Sequence, residues 1–502
     1  MEDVNSGRKV RGIGGLTGAS EKVRFVRPGL GTGDARDLPT GKTGKRLVLR
    51  FYLAAFLVLL GAFVFLYPRL HRQEPAVTSS GRVTLAVDVP PQMTGTWRSL
   101  LDRLADGPTA FEVIDAGDRP DILVSDKAPP PEGYVPTSTL EFQPLKIRIA
   151  GWEKVVGEPH KVFIYSSEEL SPGEGTKRDE VIGLLETWAT SGFPTTTLGF
   201  AGDIIPSRTV AKQMGKRGVL FPFRDAAPLL SDADLAWGNL ECPLSDRYPP
   251  PTKGVSFIAP TETVKGLELC GFDVLSLANN HSTNFGTAPF LDTLKTLEEK
   301  GMRYVGGGRD SGEAYSPLIL EVKGIRFAFL AFNCVAGSVN AGPGKPGVAW
   351  LDLPPYAPFG RDDEESVKRK VMEAREQADF LVVSFHWGEE YRYRPSDSQV
   401  KLAHVACDAG ADMVVSSHPH CIQPVEIYGH SFIAYSLGNF VFDQMFADYT
   451  REGFVLRCRL RGNRLEEAEL APYLIHDYCR PVPMDPASAR RFADKMRAIS
   501  GL

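Results

Sequence analysis

The sequence predicts an α/β protein, and three observations carry that prediction. Between residues 196 and 445, short apolar runs alternate with stretches of helical spacing. Each run breaks off abruptly into polar residues able to bind a ligand. The glycine and proline of Ser191–Pro194 punctuate the entry to this region. Strands alternating with helices argue for a doubly wound sheet, which places its site along the carboxyl edge of the strands.

The runs follow in order. Thr196–Ala201 precedes Gly202 and Asp203, and Leu235–Trp237 precedes Gly238, Asn239, Leu240 and Glu241. Val274–Ala278 leads to Asn279, Asn280 and His281. Phe380–Phe385 leads to His386, Trp387, Gly388 and Glu389, and Met413–Val415 to Ser416, Ser417, His418, Pro419 and His420. Beyond these, Phe454–Leu460 and Leu465–Leu470 read as a hairpin turning at Gly462 and Asn463. A last helix starts with Asp485 as cap and Pro486 in its first position.

The 502 residues suggest about three domains. Net charge is −5, so no global basic field argues for nucleic acid. The charge is uneven: residues 1–50 hold 11 Lys and Arg against 5 Asp and Glu. Residues 1–46 read as a disordered basic tail. Phe51–Tyr67 then runs 17 residues without a charge, about 26 Å as a helix. Extended back to Leu47, the segment 47–69 is expected to span a membrane as a signal anchor. Lys42, Lys45, Arg46 and Arg50 on its N-terminal flank put residues 1–46 in the cytoplasm and the main domains outside. A cleaved signal peptide fits less well, because Tyr67–Leu70 offers no small-x-small site.

After a polar linker at Gln73–Gly81, residues 82–192 read as a small α/β domain of unassigned role. Its expected strands are Val83–Val89, Phe111–Ile114, Ile122–Ser125, Lys146–Ile149 and Lys161–Tyr165, with helices at Thr96–Ala105 and Asp179–Thr190. The main domain is expected over 195–480, with 481–502 as a C-terminal helix. The seven cysteines show no CxxC spacing, so buried free thiols are expected rather than a disulfide framework.

Five expected strand ends supply Asp203, Asn239 or Glu241, Asn280 with His281, His386, and His418 with His420. These are oxygen and imidazole donors without a thiolate, a mixture that suits Mn, Fe or Zn. His418 and His420 flank a proline, and extended geometry there sends both imidazoles to one face. Singly, each residue has a plainer reading as a helix cap, a turn or a satisfied core histidine. Their coincidence at successive strand ends is what argues for a metal site.

The segments Phe200–Asp203, Asn239–Glu241, Leu277–His281, His386–Glu389, His418–His420 and Tyr435–Phe440 occur in the order seen in the bacterial capsule-synthesis (CapA, PGA-cap) family, which the chain resembles over residues 196–445. That resemblance implies a metallophosphoesterase-like four-layer α/β/β/α sandwich and a role in making or exporting poly-γ-glutamate capsule. It implies Asp203 and His420 as ligands of one metal, Asn280, His386 and His418 as ligands of another, and Glu241 as the bridge. His281 matches the histidine that protonates a leaving oxygen. Arg208, Glu389 and Asn239 are candidates for contacting an anionic substrate. The chain departs from the phosphatase Asp-x-His signature, which here reads Asp203, Ile204, Ile205. One or two ions are therefore both open.

Two functional classes follow. One is a membrane-anchored, metal-dependent hydrolase acting on an anionic cell-surface polymer or its precursor, alongside other capsule synthesis or export subunits. The other is a non-catalytic polymer-binding or scaffold subunit of such a complex.

Overall fold

The apolar runs become strands, and the pairing of those strands decides where the polar ends meet. The computed structural model describes residues 195–502 throughout and, before them, 83–88, 111–113, 122–125, 134–157 and 160–167 with Ile182. The basic tail, the apolar segment 47–69 and the helices expected at 96–105 and 179–190 lie outside the described residues, Ile182 apart. Among the described residues, no helix is long and apolar enough to cross a membrane.

Strands β1 (Val83–Asp88), β2 (Phe111–Val113), β3 (Ile122–Ser125), β4 (Tyr134–Phe142) and β7 (His160–Ser167) form a five-stranded sheet in the order β2-β1-β3-β7-β4. The intervening hairpin, β5 (Leu145–Ile149) and β6 (Trp152–Val156), leaves it. The sequence reading put Lys146–Ile149 with the small domain. Instead β5 pairs in parallel with a strand near the C-terminus, Lys146 opposite Glu467 and Ile149 opposite Leu470. Ile147 and Ile149 are fully buried there, which gives the detour its driving force.

Beyond residue 195 there are two large sheets, not one doubly wound sheet. The first orders its strands β11 (Arg303–Val305), β10 (Phe272–Ser276), β9 (Leu235–Leu240), β8 (Thr195–Ile204), β21 (Glu452–Arg461), β22 (Arg464–His476), β5 and β6. β20 (Asn439–Val441) adds to β8, and β23 (Arg480–Pro483) to β22. The second runs β13 (Leu318–Val322), β14 (Ile325–Asn333), β16 (Phe380–His386), β17 (Met413–Ser417), β19 (Ser431–Ala434) and β18 (Val425–Tyr428). A short ladder joins β12 (Gly307–Gly308) to β15 (Gly347–Val348).

Three cores define the layers. Leu198, Phe200, Trp237 and Val274 of the first sheet pack against Phe327, Phe329, Val382 and Val415 of the second. On the outer face of the first sheet lie α1 (Arg208–Arg217), α2 (Val264–Cys270) and α3 (Thr287–Glu299), whose Val210, Leu267 and Leu294 meet Ala236 and Leu275. After α4 (Ser311–Ala314) come α5 (Arg361–Arg375) and α6 (Asp397–Asp408), covering the outer face of the second sheet through Val371 and Leu402 against Leu330 and Val383. β14 shows the period of two directly: Phe327 and Phe329 point to the inter-sheet core, Ala328 and Leu330 to the helices. A strand buried on both faces reads as a continuous apolar run.

α7 (Pro486–Ser500) begins as expected, with the Asp485 carboxylate accepting from Ala487 N and Ser488 N. All seven cysteines are buried and unpaired.

Candidate metal centre

The central strands of both sheets are parallel to their neighbours: β8 with β9, β9 with β10, β14 with β16 and β16 with β17. Their polar carboxyl ends converge. Asp203 and Asn239 are the penultimate residues of β8 and β9, with Glu241 just beyond β9, while His386 closes β16. Asp203, Asn239, Glu241, His386, His418 and His420 are all at most 3% exposed. Burial of so many polar groups demands partners.

Two sets of ligand-capable atoms result. Glu241, His386 and His418 offer atoms within 4.8 Å of one another, and so do Asp203, Glu241 and His420. Glu241 belongs to both. The hydrogen bonds account for most of the remaining valence. Asn239 Nδ2 donates to Asp203 Oδ1 at 2.7 Å and lies 3.3 Å from His386 Nδ1, while its Oδ1 accepts from Asn279 Nδ2. Asn280 Oδ1 sits 2.9 Å from His386 Nε2. His420 Nδ1 is 2.8 Å from Asn439 Oδ1 and 3.3 Å from Asp203 Oδ2. Asn439 is held in that orientation because its Nδ2 donates to Thr450 O at 2.9 Å.

Among the residues of the two ligand sets, two buried atoms are left over. Glu241 Oε1 has no hydrogen bond, although His386 Nε2 is 3.3 Å away, because that nitrogen is aimed at Asn280. His418 Nδ1 also has none. Both residues belong to one ligand set, so the residues fit a cation there. Electrostatics agrees. Burial, then the charge of Asp203, pushes the Glu241 carboxyl well above its ordinary value. Burial would raise Asp203 too, but hydrogen bonds from His420 and Asn239 and the nearby imidazoles hold it below the usual range. Burial lowers His386 to about 3 and drives His418 well below its usual value.

The backbone corrects one expectation. His418 and His420 are not extended: their φ angles are +100° and +52°. Their rings nonetheless come together, 5.8 Å apart, because a left-handed turn brings both to the centre. Such φ values cost of order 1–3 kcal/mol each and persist only where surrounding packing enforces them. Arg208 (+51°) and Tyr391 (+64°) show the same conformation beside the centre.

His418 and His420 form the floor of a cleft of about 800 Å³, whose walls include Asn280, His281, Arg208, Tyr356, Tyr391 and Phe446. His281 Nδ1 is 3.0 Å from Asn284 Oδ1, which also accepts from Phe257 N, so Asn284 acts as acceptor and Nε2 of His281 is left free. Burial lowers its pKa to about 4. Arg208 is committed: its guanidinium pairs with Asp443, donates to Gly254 O and sits between Phe257 and Phe442. Asn239 lies beneath the centre, away from the cleft lining. Glu389 is half exposed, pairs with Arg392 and does not line the cleft, whereas Glu390 does. Sequence reasoning passed over Tyr356, whose hydroxyl is 3.3 Å from His418 Nε2; Asn439, in the Tyr435–Phe440 motif and read as a structural residue beside the histidines, is the partner of His420. The pair Pro354–Pro355 before Tyr356 was the one local signal, marking a turn without a destination.

With the geometry in hand, the chain's relatives can be placed. Residues 197–444 match the family described as bacterial capsule synthesis protein PGA_cap, and the chain belongs to that family. It is 35% identical to the capsule biosynthesis protein CapA of Bacillus anthracis over 56% of this chain and 68% of that one. It is 33% identical to the PGA biosynthesis protein CapA of Bacillus subtilis (strain 168), over 66% and 80%. A probable polyglutamine synthesis accessory protein of Mycobacterium tuberculosis is 30% identical over 44% and 60%.

Proposed function

We propose that the chain is a membrane-anchored protein of capsule or poly-γ-glutamate synthesis or export carrying a metal-dependent, phosphoesterase-type hydrolytic centre within a metallophosphoesterase-like sandwich. One observation carries this reading: two buried ligand sets share Glu241, and Glu241 and His418, which each carry a buried polar atom without a hydrogen bond, belong to the same set. Asp203, Glu241 and His420 would hold one divalent ion of the Mn, Fe or Zn type, and Glu241, His386 and His418, with Asn280, a second. When bound, such ions supply Lewis acidity and lower the pKa of water toward neutrality.

The chain's own groups do the rest. Asn439 and Asn239 fix the orientation of His420 and Asp203. Asn284 fixes Nδ1 of His281, so Nε2 is the atom that exchanges a proton with a reacting oxygen. With a pKa of about 4, His281 is neutral imidazole, and its Nε2 would take the proton of an attacking water and pass it to the leaving oxygen. A non-catalytic, polymer-binding role is the second reading, favoured by buried Ile205, which stands where the phosphatase signature has an imidazole.

The test is hydrolysis of p-nitrophenyl phosphate by the Mn-reconstituted chain and by His281→Ala. Loss of turnover in the variant with metal retained supports the enzyme. Metal without turnover in either protein supports the binding subunit. Membrane anchoring is tested separately: a reporter fused after Leu502 that works only outside the cytoplasm should be active, and activity of a cytoplasm-only reporter there refutes the topology.

A further inference from the structure

The cleft has one wall that hydrolytic chemistry at the centre does not require. Tyr391 and Phe446 line it with ring centroids 5.4 Å apart, backed by Tyr449, 6.2 Å from Tyr391, and by Tyr393, 5.6 Å from Tyr449, neither of which lines the cleft. The cluster starts at the centre, since Tyr391 lies 6.3 Å from His420. Its outer member, Phe446, is 63% exposed. A single exposed aromatic is ordinary, but a ring cluster opening onto a polar cleft is a surface kept free for contact. Tyr391 is held in place: its N–H donates to Pro419 O at 2.7 Å and its hydroxyl accepts from Gln444 Nε2 at 3.0 Å.

The charges along the cleft argue in the same direction. Arg208 is neutralised by Asp443, and the remaining ionic groups of the lining, Lys253 and Glu390, are of opposite sign. No row of cations matches a chain of carboxylates. With the ions of the proposed function bound, the favourable place for an anion would be beside His418 and His420, on the floor of the cleft.

We infer that the site takes a ligand with a single anionic phosphate head, seated at the centre, joined to an uncharged ring that lies against Tyr391 and Phe446. This rests on the metal reading above and adds the ligand class to it. Ring-face contact of this kind serves a pyranose and an aryl ring alike.

Binding to the full-length, Mn-reconstituted chain tests it, with four probes: inorganic phosphate, glucose 1-phosphate, phenyl phosphate and γ-linked triglutamate. Both or either ring-bearing phosphate should bind at least about fivefold tighter than inorganic phosphate. The stronger of the two identifies the ring. Phe446→Ala, a change at an exposed position, should erase that advantage while leaving phosphate binding unchanged. The inference is overturned if ring phosphates bind no tighter than phosphate, if Phe446→Ala has no effect, or if triglutamate binds tighter than every ring phosphate. Failure of inorganic phosphate to bind a chain that also retains no metal would instead strike the metal reading, and the inference with it.

Discussion

Gly202→Ala isolates how the centre depends on a close backbone approach. Gly202 precedes Asp203, and a Cβ at this position would lie 1.8 Å from Gly438 O. Ordinary contact needs roughly 3.5 Å, so β8 and the segment entering β20 must part by more than about 1.5 Å. The contact is where Asp203 N donates to Gly438 O at 3.1 Å, and where Asn439 is placed opposite Asp203. Loss of that buried bond costs about 1–3 kcal/mol, and overpacking about as much again. A total near 3 kcal/mol lowers the melting temperature of a folded unit of about 300 residues by roughly 3–6 °C. It also separates Asp203 from His420, so metal affinity should fall with stability. Gly215→Ala is the control: a Cβ there meets nothing within 4 Å in the last turn of α1, and the variant should gain up to about 1 kcal/mol. Thermal melts and metal titration of the full chain decide. A Gly202→Ala protein that melts and binds metal like the wild type refutes the reasoning.

Further outcomes can be checked together. His418→Ala and His420→Ala should each abolish most bound transition metal, as measured by elemental analysis. Cys421→Ala should keep it, because that thiol turns away to Arg392 O at 3.4 Å; equal metal loss in all three contradicts the ligand assignment. Stability of the metal-free chain should fall as pH drops from about 6.5 toward 4. His281, His386 and His418 take up protons only when unfolded, while buried Glu241 works in the opposite sense. The unfolded state then binds about two more protons, up to about 2.7 kcal/mol per pH unit. Identical melts at pH 7 and 4.5 exclude this. Asp485→Ala should cost about 0.5–2 kcal/mol by uncapping α7, read by denaturant titration, and no shift in midpoint tells against the cap.

Much of the centre was legible because each residue sits at the end of an apolar run. An apolar run ending in polar residues marks both a strand and the edge where the chain emerges. Asp203, Asn239, Glu241, His386 and the His418–His420 pair were all found this way. What the sequence hid is non-local. The hairpin β5–β6 pairs with β22 more than 300 residues on, as Arg148 with Glu467 shows, and no periodicity within 145–156 names that partner. Which strands go to which of the two sheets depends on which become neighbours, and period-two alternation is silent on it; two sheets as such are implied only by the family resemblance. The left-handed turns at His418 and His420 are set by tertiary packing, since a histidine in isolation disfavours them. Glu389 and Glu390 are adjacent in sequence, and only the fold decides that the second lines the cleft.

The proposed divalent-metal centre is built around Glu241 at the carboxyl edges of two sheets. The most direct test is metal content of the purified full-length chain after reconstitution with Mn, Fe or Zn, measured beside Glu241→Gln. One or two equivalents per chain in the wild type, and a marked loss in the variant, is the predicted result. A wild-type chain that holds no metal under any of these conditions, or a variant that holds as much as the wild type, would contradict it.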